Sequence, residues 1–440
     1  MKLIGLFSSL FLCLWCHAAQ AGPQIEHWLA ATGARVYFVE NHDLPIIDVQ
    51  VDFAAGAAFD PAGKSGLASM TQGLLDSGVL GMDETKISDR LADLGAVLSG
   101  GAEMDRASVG LRTLSASDKR SPAVEILRAV LSSPQFPAKI LEREKARTVE
   151  GLKEALTRPE AIAGRAFWSA MYPSHPYGRQ ATVESINALK RADLLAFYRK
   201  HYVAHVATVT LVGDLSRAQA EALAEQLTNG LPTSGAVAPT DSAETVPEPI
   251  LSPASEQRIA HPAAQAHVLM GLPALKRGDA DYFPLLVGNY SLGGGGFVSR
   301  LMKEVREKRG YAYGVQSHFL TMAQAGPFQI GLQTKKAQSD AALKVVRDVL
   351  ADFLAEGPSE AELLAAKQNL VGSFPLRLDS NRKILDNVAM IGFYGLPLDY
   401  LDRYAENVEK VTVEEIKAAF ARHVKQENMV TIVVGGQENN

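Results

Sequence analysis

Arg306 and Tyr313 stand seven positions apart in VREKRGYAYGV, on either side of Gly310. Met302 to Arg309 reads as the end of a helix, with Lys308 and Arg309 suited to its last turn and Gly310 to the residue just beyond it. Tyr311, Ala312, Tyr313 and Gly314 then enter a strand. Such a turn can bring a guanidinium and a phenol together, and both can donate to a peptide carbonyl whose oxygen is gaining negative charge. The plainer alternative is a helix-end arginine in a salt bridge and a tyrosine packed beside Tyr311.

Metal-binding spacing is scarce. His201 and His205 are four apart, as a helical metal site requires. The helix is expected to end near Tyr202 and a strand to begin near Ala204, so the two imidazoles lose their common face; core, cap or surface histidines are the better reading. His175, in SHPYGR, reads as a loop residue. GLASMTQGLLDSG, Gly66 to Gly78, has the apolar spacing of a packed helix in Leu67, Met70, Leu74 and Leu75. Its polar side offers only Ser69, Thr71, Gln72 and Gly73. The run Gly293, Gly294, Gly295 and Gly296 lacks the Lys and Ser or Thr of a Walker loop and the setting of a dinucleotide fingerprint. A turn of close backbone approach at a helix start fits it better.

The chain has 440 residues, 47% hydrophobic, enough for two or three compact units. A net charge of -5, from 44 basic and 49 acidic residues, gives no electrostatic case for nucleic acid or anionic membrane. Residues 1–21 carry Lys2, an apolar run from Leu3 to Trp15 and Ala19-Gln20-Ala21, the order of a cleavable export signal. Trp15 before Cys16 argues against a lipoprotein site. Both cysteines, Cys13 and Cys16, fall in that segment, so the expected mature chain has no disulfide. No other apolar run approaches the ~20 residues of a membrane span. A periplasmic location is the expectation.

Residues 229–257, rich in Pro, Ser, Thr and Ala, read as a linker between a first domain at 22–228 and a second at 258–440. The two ends align without a gap: ADLLAFYRKHYVAHVATVTLVGD and EEIKAAFARHVKQENMVTIVVGG each run from a helix into His201 or His423, then a Val-rich strand stopped by Gly213 or Gly435. An internal duplication accounts for this. RVYFVEN, IIDVQVDFAAG and RASVGLRTL alternate as half-buried strands in the first half; AHVLMGLP, YAYGVQSHFL and FQIGLQTK are strands of the second. Long helices are expected at SPAVEILRAVLSS, LEREKARTVEGLKEALT, ALKVVRDVLADFLAEG and SEAELLAAKQNLVGSF. The fold class is therefore α+β, two homologous halves, each a mostly antiparallel sheet covered by helices on one face.

In this order GAAFDPAGKSGLASMTQGLLDSG, LEREKAR, YPSHPYGR, LVGD and LGGGGFVSRLMKEVREKRGYAYGV resemble the pitrilysin-like family of inverzincin and mitochondrial-processing-peptidase-like zinc metallopeptidases. The resemblance covers nearly the whole mature chain. It implies His-x-x-Glu-His on the Gly66 helix, where two imidazoles hold zinc and the carboxylate takes a proton from metal-bound water. This sequence has Ser69, Gln72 and Gly73 there. The family's third ligand falls near Glu150, or near Gly151 if the alignment shifts by one residue. The resemblance also assigns Arg306 and Tyr313 to substrate contact and puts the four glycines near the peptide-binding edge. It implies a metal-free subunit whose homologous partner carries His-x-x-Glu-His and the zinc, the two acting on peptides as a heterodimer. The alternative is a structural or peptide-binding core-type subunit with no part in proteolysis.

Overall fold

In the first half the β-branched runs form one mixed sheet. The computed structural model describes residues 22–233 and 245–435, so the expected export signal and residues 234–244 of the linker lie outside it. The strands are β1 (Glu26–Leu29), β2 (Arg35–Glu40), β3 (Ile46–Phe53), a small hairpin of β4 (Gly78–Val79) and β5 (Met82–Asp83), β6 (Val97–Ala102), β7 (Ala107–Leu114) and β8 (Thr208–Gly213). Apart from the hairpin they pair in the order β1-β2-β8-β3-β7-β6, with β2 and β8 parallel and the remaining neighbours antiparallel.

The second half contains β9 (Ser255–Ile259), β10 (Gln265–Leu275), β11 (Ala312–Phe319), β12 (Gly326–Lys335) and β13 (Val430–Val434), in the order β11-β12-β10-β13-β9. Read from the edge, β6-β7-β3-β8-β2 and β11-β12-β10-β13-β9 are one topology, and β9–β13 is again the parallel pair. The repeat extends to side chains. His201 donates from Nδ1 to the Ala54 carbonyl just past β3 at 3.0 Å, and His423 donates from Nδ1 to the Ala274 carbonyl near the end of β10 at 2.7 Å. The duplicated ends are thus the same helix–strand device, and the fold is α+β with two homologous halves.

Each half covers one face of its sheet with its own helices. Ile47, Val49, Val51 and Phe53 of β3 meet Leu127, Leu131 and Leu194 in the first core, while Val268, Phe328, Val346 and Phe420 meet in the second. The other face receives a helix from the opposite half. Ala163, Phe167 and Met171 of the Pro159–Met171 helix pack on Val430, Ile432 and Val434 of β13. Ile384, Leu385 and Val388 of the Asn381–Tyr394 helix pack on Tyr37, Val39 and Val212 of the first sheet. This exchange corrects the half-buried reading of β3: Asp48, Gln50 and Asp52 alternate with its apolar residues and are buried as well. Their polar atoms therefore need protein partners. Arg112 donates to both Asp48 oxygens at 2.8 and 3.0 Å, and Gln50 Nε2 donates to Asp52 at 3.0 Å. Burial pushes the Asp52 carboxyl up to about 6, although Arg106 and Gln50 act against the shift.

The halves are also tied by one carboxylate. Asp105, 4% exposed, accepts from the hydroxyls of Tyr177 at 2.6 Å and Tyr394 at 3.0 Å and from the Ala323 amide at 2.7 Å. Three donors from distant parts of the chain satisfy a buried carboxyl group that would otherwise be costly to bury. β9 begins at Ser255, so the last residues of the stretch read as linker are an edge strand. Three of its five residues are exposed, which removes the apolar alternation that would have marked it. No helix among the described residues is long and apolar enough to cross a membrane.

Candidate functional site

The first candidate lies on the helix that follows β3. Its start is fixed by Asp60, which accepts from the amides of Gly66 at 2.6 Å and Ala68 at 2.7 Å. Burial raises the Asp60 carboxyl to about 6 against the pull of those bonds. The helix spans only Leu67–Gly73, shorter than the Gly66 to Gly78 pattern suggested. Leu74 and Leu75 are both 1% exposed, and two adjacent fully buried side chains favour a change of direction over another turn on one packed face.

Ser69 and Gly73 are exposed on this helix, while Gln72 is half-buried and donates its amide to the Ser108 carbonyl of β7 at 3.1 Å. Gln72 and Gly73 line a cavity of about 200 Å³ with Leu98, Ser99 and Gly100 of β6. A hydroxyl, an amide already bonded to backbone and a glycine do not make a zinc site. Glu150 is exposed on the Ala138–Ala155 helix and pairs with Lys153 at 2.8 Å. The residues present do not fit the catalytic zinc of the family resemblance.

The histidines are accounted for elsewhere. His201 is buried against Phe59 and Phe197, and His205 lies on a short turn, Ala204–Val206, beyond the helix end; the strand starts later than expected, at Thr208. His175 is buried: its Nδ1 accepts from the Tyr177 amide at 3.1 Å and its Nε2 donates to the Pro247 carbonyl at 2.7 Å, clasping the linker. Among the described residues, one group of metal-ligating side chains, Asp279, Asp281 and His423, brings its donor atoms within 4.8 Å of one another. Both Asp281 oxygens there already receive Arg422, at 2.7 and 2.6 Å.

The second candidate faces a cavity of about 990 Å³, in the size range of small-ligand sites. The Tyr282–Asn289 helix passes into a wider π-helical turn, Tyr290–Gly294, followed by a short turn, Gly296–Val298, and a second π-helical segment, Met302–Glu307. The segment read as an ordinary helix end is therefore π-helical, a distortion common at functional sites. Gly310 closes it with φ of 63°, its amide donating to the Arg306 carbonyl at 2.8 Å and the Tyr311 amide to Val305 at 3.0 Å. The chain then enters β11 through a register shift between Ala312 and Val315. Tyr313 lies within that irregularity.

The result unites the sequence candidates. The Arg306 guanidinium carbon lies 4.7 Å from the ring centroid of Tyr313 and 4.7 Å from that of Phe297. Tyr313 is 85% exposed and Phe297 63%, so neither ring is a core residue. Among the described residues the Arg306 side chain has no hydrogen bond or ion pair, unlike the salt-bridged arginine of the plainer alternative, and Tyr313 is too exposed for the packed one. Its neighbours are committed: Glu304 takes Lys308 and Arg309, and Arg300 takes Glu362. Burial opposes ionisation of Glu362, yet Arg300 and Ser359 bring it down to about 2.

Gly293, Gly294 and Gly296 line the same cavity as Arg306 and Tyr313. A Cβ on Gly293 would run into Ser317 and Leu301, one on Gly294 into Asn289 and one on Gly295 into Tyr290, so their close approach is to their own chain. Gly296, at φ 62° with open space around it, makes the turn that leads to Phe297. The other walls carry Gln316, His318, Gln329, Gln333, His267 and Glu160. Burial lowers the His267 pKa, with Glu160 acting against it. Phe297 escaped the sequence reading because no spacing rule links an aromatic after a glycine run to an arginine nine residues on.

Residues 188–370 match the family model described as the peptidase M16 inactive domain. The crystal structure of a peptidase M16 inactive domain from Pseudomonas fluorescens superposes with a TM-score of 0.89 at 38% identity, covering 94% of this chain and 99% of that one. The chain belongs to the M16 peptidase family. The non-peptidase homolog YmxG of Helicobacter pylori is 26% identical over 447 residues, covering 100% of this chain and 99% of that protein. A Streptomyces coelicolor protein named as an uncharacterized zinc protease is 26% identical over 319 residues, 71% of this chain and 68% of its own length. As an M16 chain the molecule thus has relatives under both non-peptidase and protease names, and the side chains at positions 69, 72 and 73 bear on which description suits it.

Proposed function

We propose that this chain is the metal-free subunit of an exported M16 zinc peptidase pair, holding the substrate peptide while a homologous subunit supplies zinc and general base. One contrast carries the reading: Ser69, Gln72 and Gly73 offer no metal site, whereas Arg306 and Tyr313 stand together at the mouth of a large cavity. The peptide would lie in that cavity with a backbone carbonyl toward Arg306 and Tyr313, whose donors steady the oxygen as the partner's nucleophile adds. Residues 1–21 would direct the chain to the periplasm and be removed there. The non-peptidase name of the Helicobacter relative supports the absence of hydrolysis by the chain alone.

The test is reconstitution. Mixed with a homologous His-x-x-Glu-His subunit from the same organism, the chain should form a stable complex that hydrolyses peptides, and Arg306→Gln or Tyr313→Phe should lower turnover without dispersing the complex. A complex whose activity ignores both substitutions would favour the structural, core-type role instead.

A further inference from the structure

We propose that the Arg306 site is a carboxylate receptor: the cavity takes extended peptides that present a carboxylate, at the C-terminus or on a side chain, to the guanidinium held by Phe297 and Tyr313. This rests on the peptide-holding role proposed above and names the chemistry it selects.

A guanidinium carries five donors in a planar fork, and among the described residues none of those on Arg306 meets a hydrogen-bond acceptor or an ion-pair partner. The group is nonetheless placed, lying 4.7 Å from each of two ring centroids, so it surrenders less freedom on binding than a free arginine. An aromatic ring that stacks on a guanidinium takes its flat side and leaves the N–H edge available. With five donors, that edge can meet both oxygens of one carboxylate and still leave a donor for a neighbouring backbone carbonyl. Glu304, two positions before it in the chain, is occupied by Lys308 and Arg309.

The rest of the cavity agrees. Its walls near β11 and β12 are neutral amides, Gln316, Gln329 and Gln333, which can serve a peptide backbone of any sequence. Its fixed charges are Arg306 and Arg377 against Glu160, an excess of cation in a site open to solvent. Arg377 stacks on Tyr404 at 5.5 Å rather than on a carboxylate. Phe297 is then a positioning residue: it touches Arg306 and fixes the plane in which the fork points.

The experiment is calorimetric titration of the whole mature chain with three N-acetylated pentapeptides of otherwise neutral residues: a C-terminal acid, its C-terminal amide, and the amide with one internal glutamate. The acid should bind about tenfold more tightly than the plain amide, the size of one charge-assisted bond near the surface. Binding of the glutamate peptide at the strength of the acid assigns the site to side-chain carboxylates as well; weak binding assigns it to C-termini. Arg306→Gln should abolish the difference between acid and amide, whatever it does to the binding common to both. Phe297→Leu should narrow it while circular dichroism and melting stay unchanged. Equal binding of acid and amide, or a difference that survives Arg306→Gln, overturns the carboxylate assignment while leaving the peptidase-pair reading intact. Failure of every peptide to bind at millimolar concentration overturns both.

Discussion

Two cavities occupy equivalent places in the repeated fold, each between the helix that follows the sheet's central strand and the edge strand. In the first half the helix is Leu67–Gly73, the edge is β6, and the space is about 200 Å³. In the second the helix Tyr282–Asn289 continues into π-helical turns beside β11, and the space is about 990 Å³. One kept regular packing and has side chains without metal chemistry; the other distorts its helix and exposes an arginine with two aromatic rings. Duplication supplied the same scaffold twice, and the local helix geometry decided how much room for a ligand each copy holds.

The reciprocal helices sharpen the comparison. Phe167 is fully buried where the first half reaches over the second sheet. Phe167→Ala should therefore cost about 4 kcal/mol, as a buried aromatic truncation does, and lower a single melting transition shared by both halves. Two separate transitions by calorimetry would mean that the halves are independent and their helix exchange incidental.

The covered faces also differ: β3 presents Asp48, Gln50 and Asp52 beneath its borrowed helix, where β10 presents His267, Leu269 and Gly271. With its carboxyl raised to about 6 from 3.8, Asp52 holds a proton in the folded chain that the unfolded chain has released between those values. Its contribution is thus fully present below about pH 4 and lost as pH rises through about 6. Asp52→Asn should gain on the parent by about 3 kcal/mol above pH 6 and by almost nothing at pH 4, read from denaturant melts across that range. A constant offset would show that the proton is not the cause.

On the ligand side, Arg306→Gln in the reconstituted pair should lower kcat/KM about 30-fold, near 2 kcal/mol of transition-state stabilisation. Unchanged kinetics would put the two cavities on an equal footing. The smallest effect is expected at Gln72→Glu, where a carboxylate would face the Ser108 carbonyl in place of the amide that now donates to it at 3.1 Å. A loss of about 1–2 kcal/mol follows from breaking that bond and opposing two acceptors, measurable as a shift in melting.

Much of this was legible in the chain. Strand alternation, the His201 and His423 repeats and the Gly310 turn depend on local spacing, and local spacing is written in sequence. So was the pairing of Arg306 with Tyr313, because one glycine sets the distance between them. Phe297 was not, since it reaches Arg306 across the irregular turns between Tyr290 and Glu307, which no spacing rule anticipates. Nor were the crossing helices, whose apolar faces look the same whether they cover their own sheet or another. β9 was hidden for the opposite reason: an exposed edge strand carries little pattern to read.

If this chain holds no zinc, its hydrolytic power must come from outside it. The most direct test is elemental analysis of the purified mature protein after exposure to zinc and desalting, paired with a peptide-cleavage assay with and without chelator. Substoichiometric zinc and no chelator-sensitive cleavage are expected; one tightly held zinc per chain, with cleavage that the chelator stops, would mean that this chain carries a working metal site of its own.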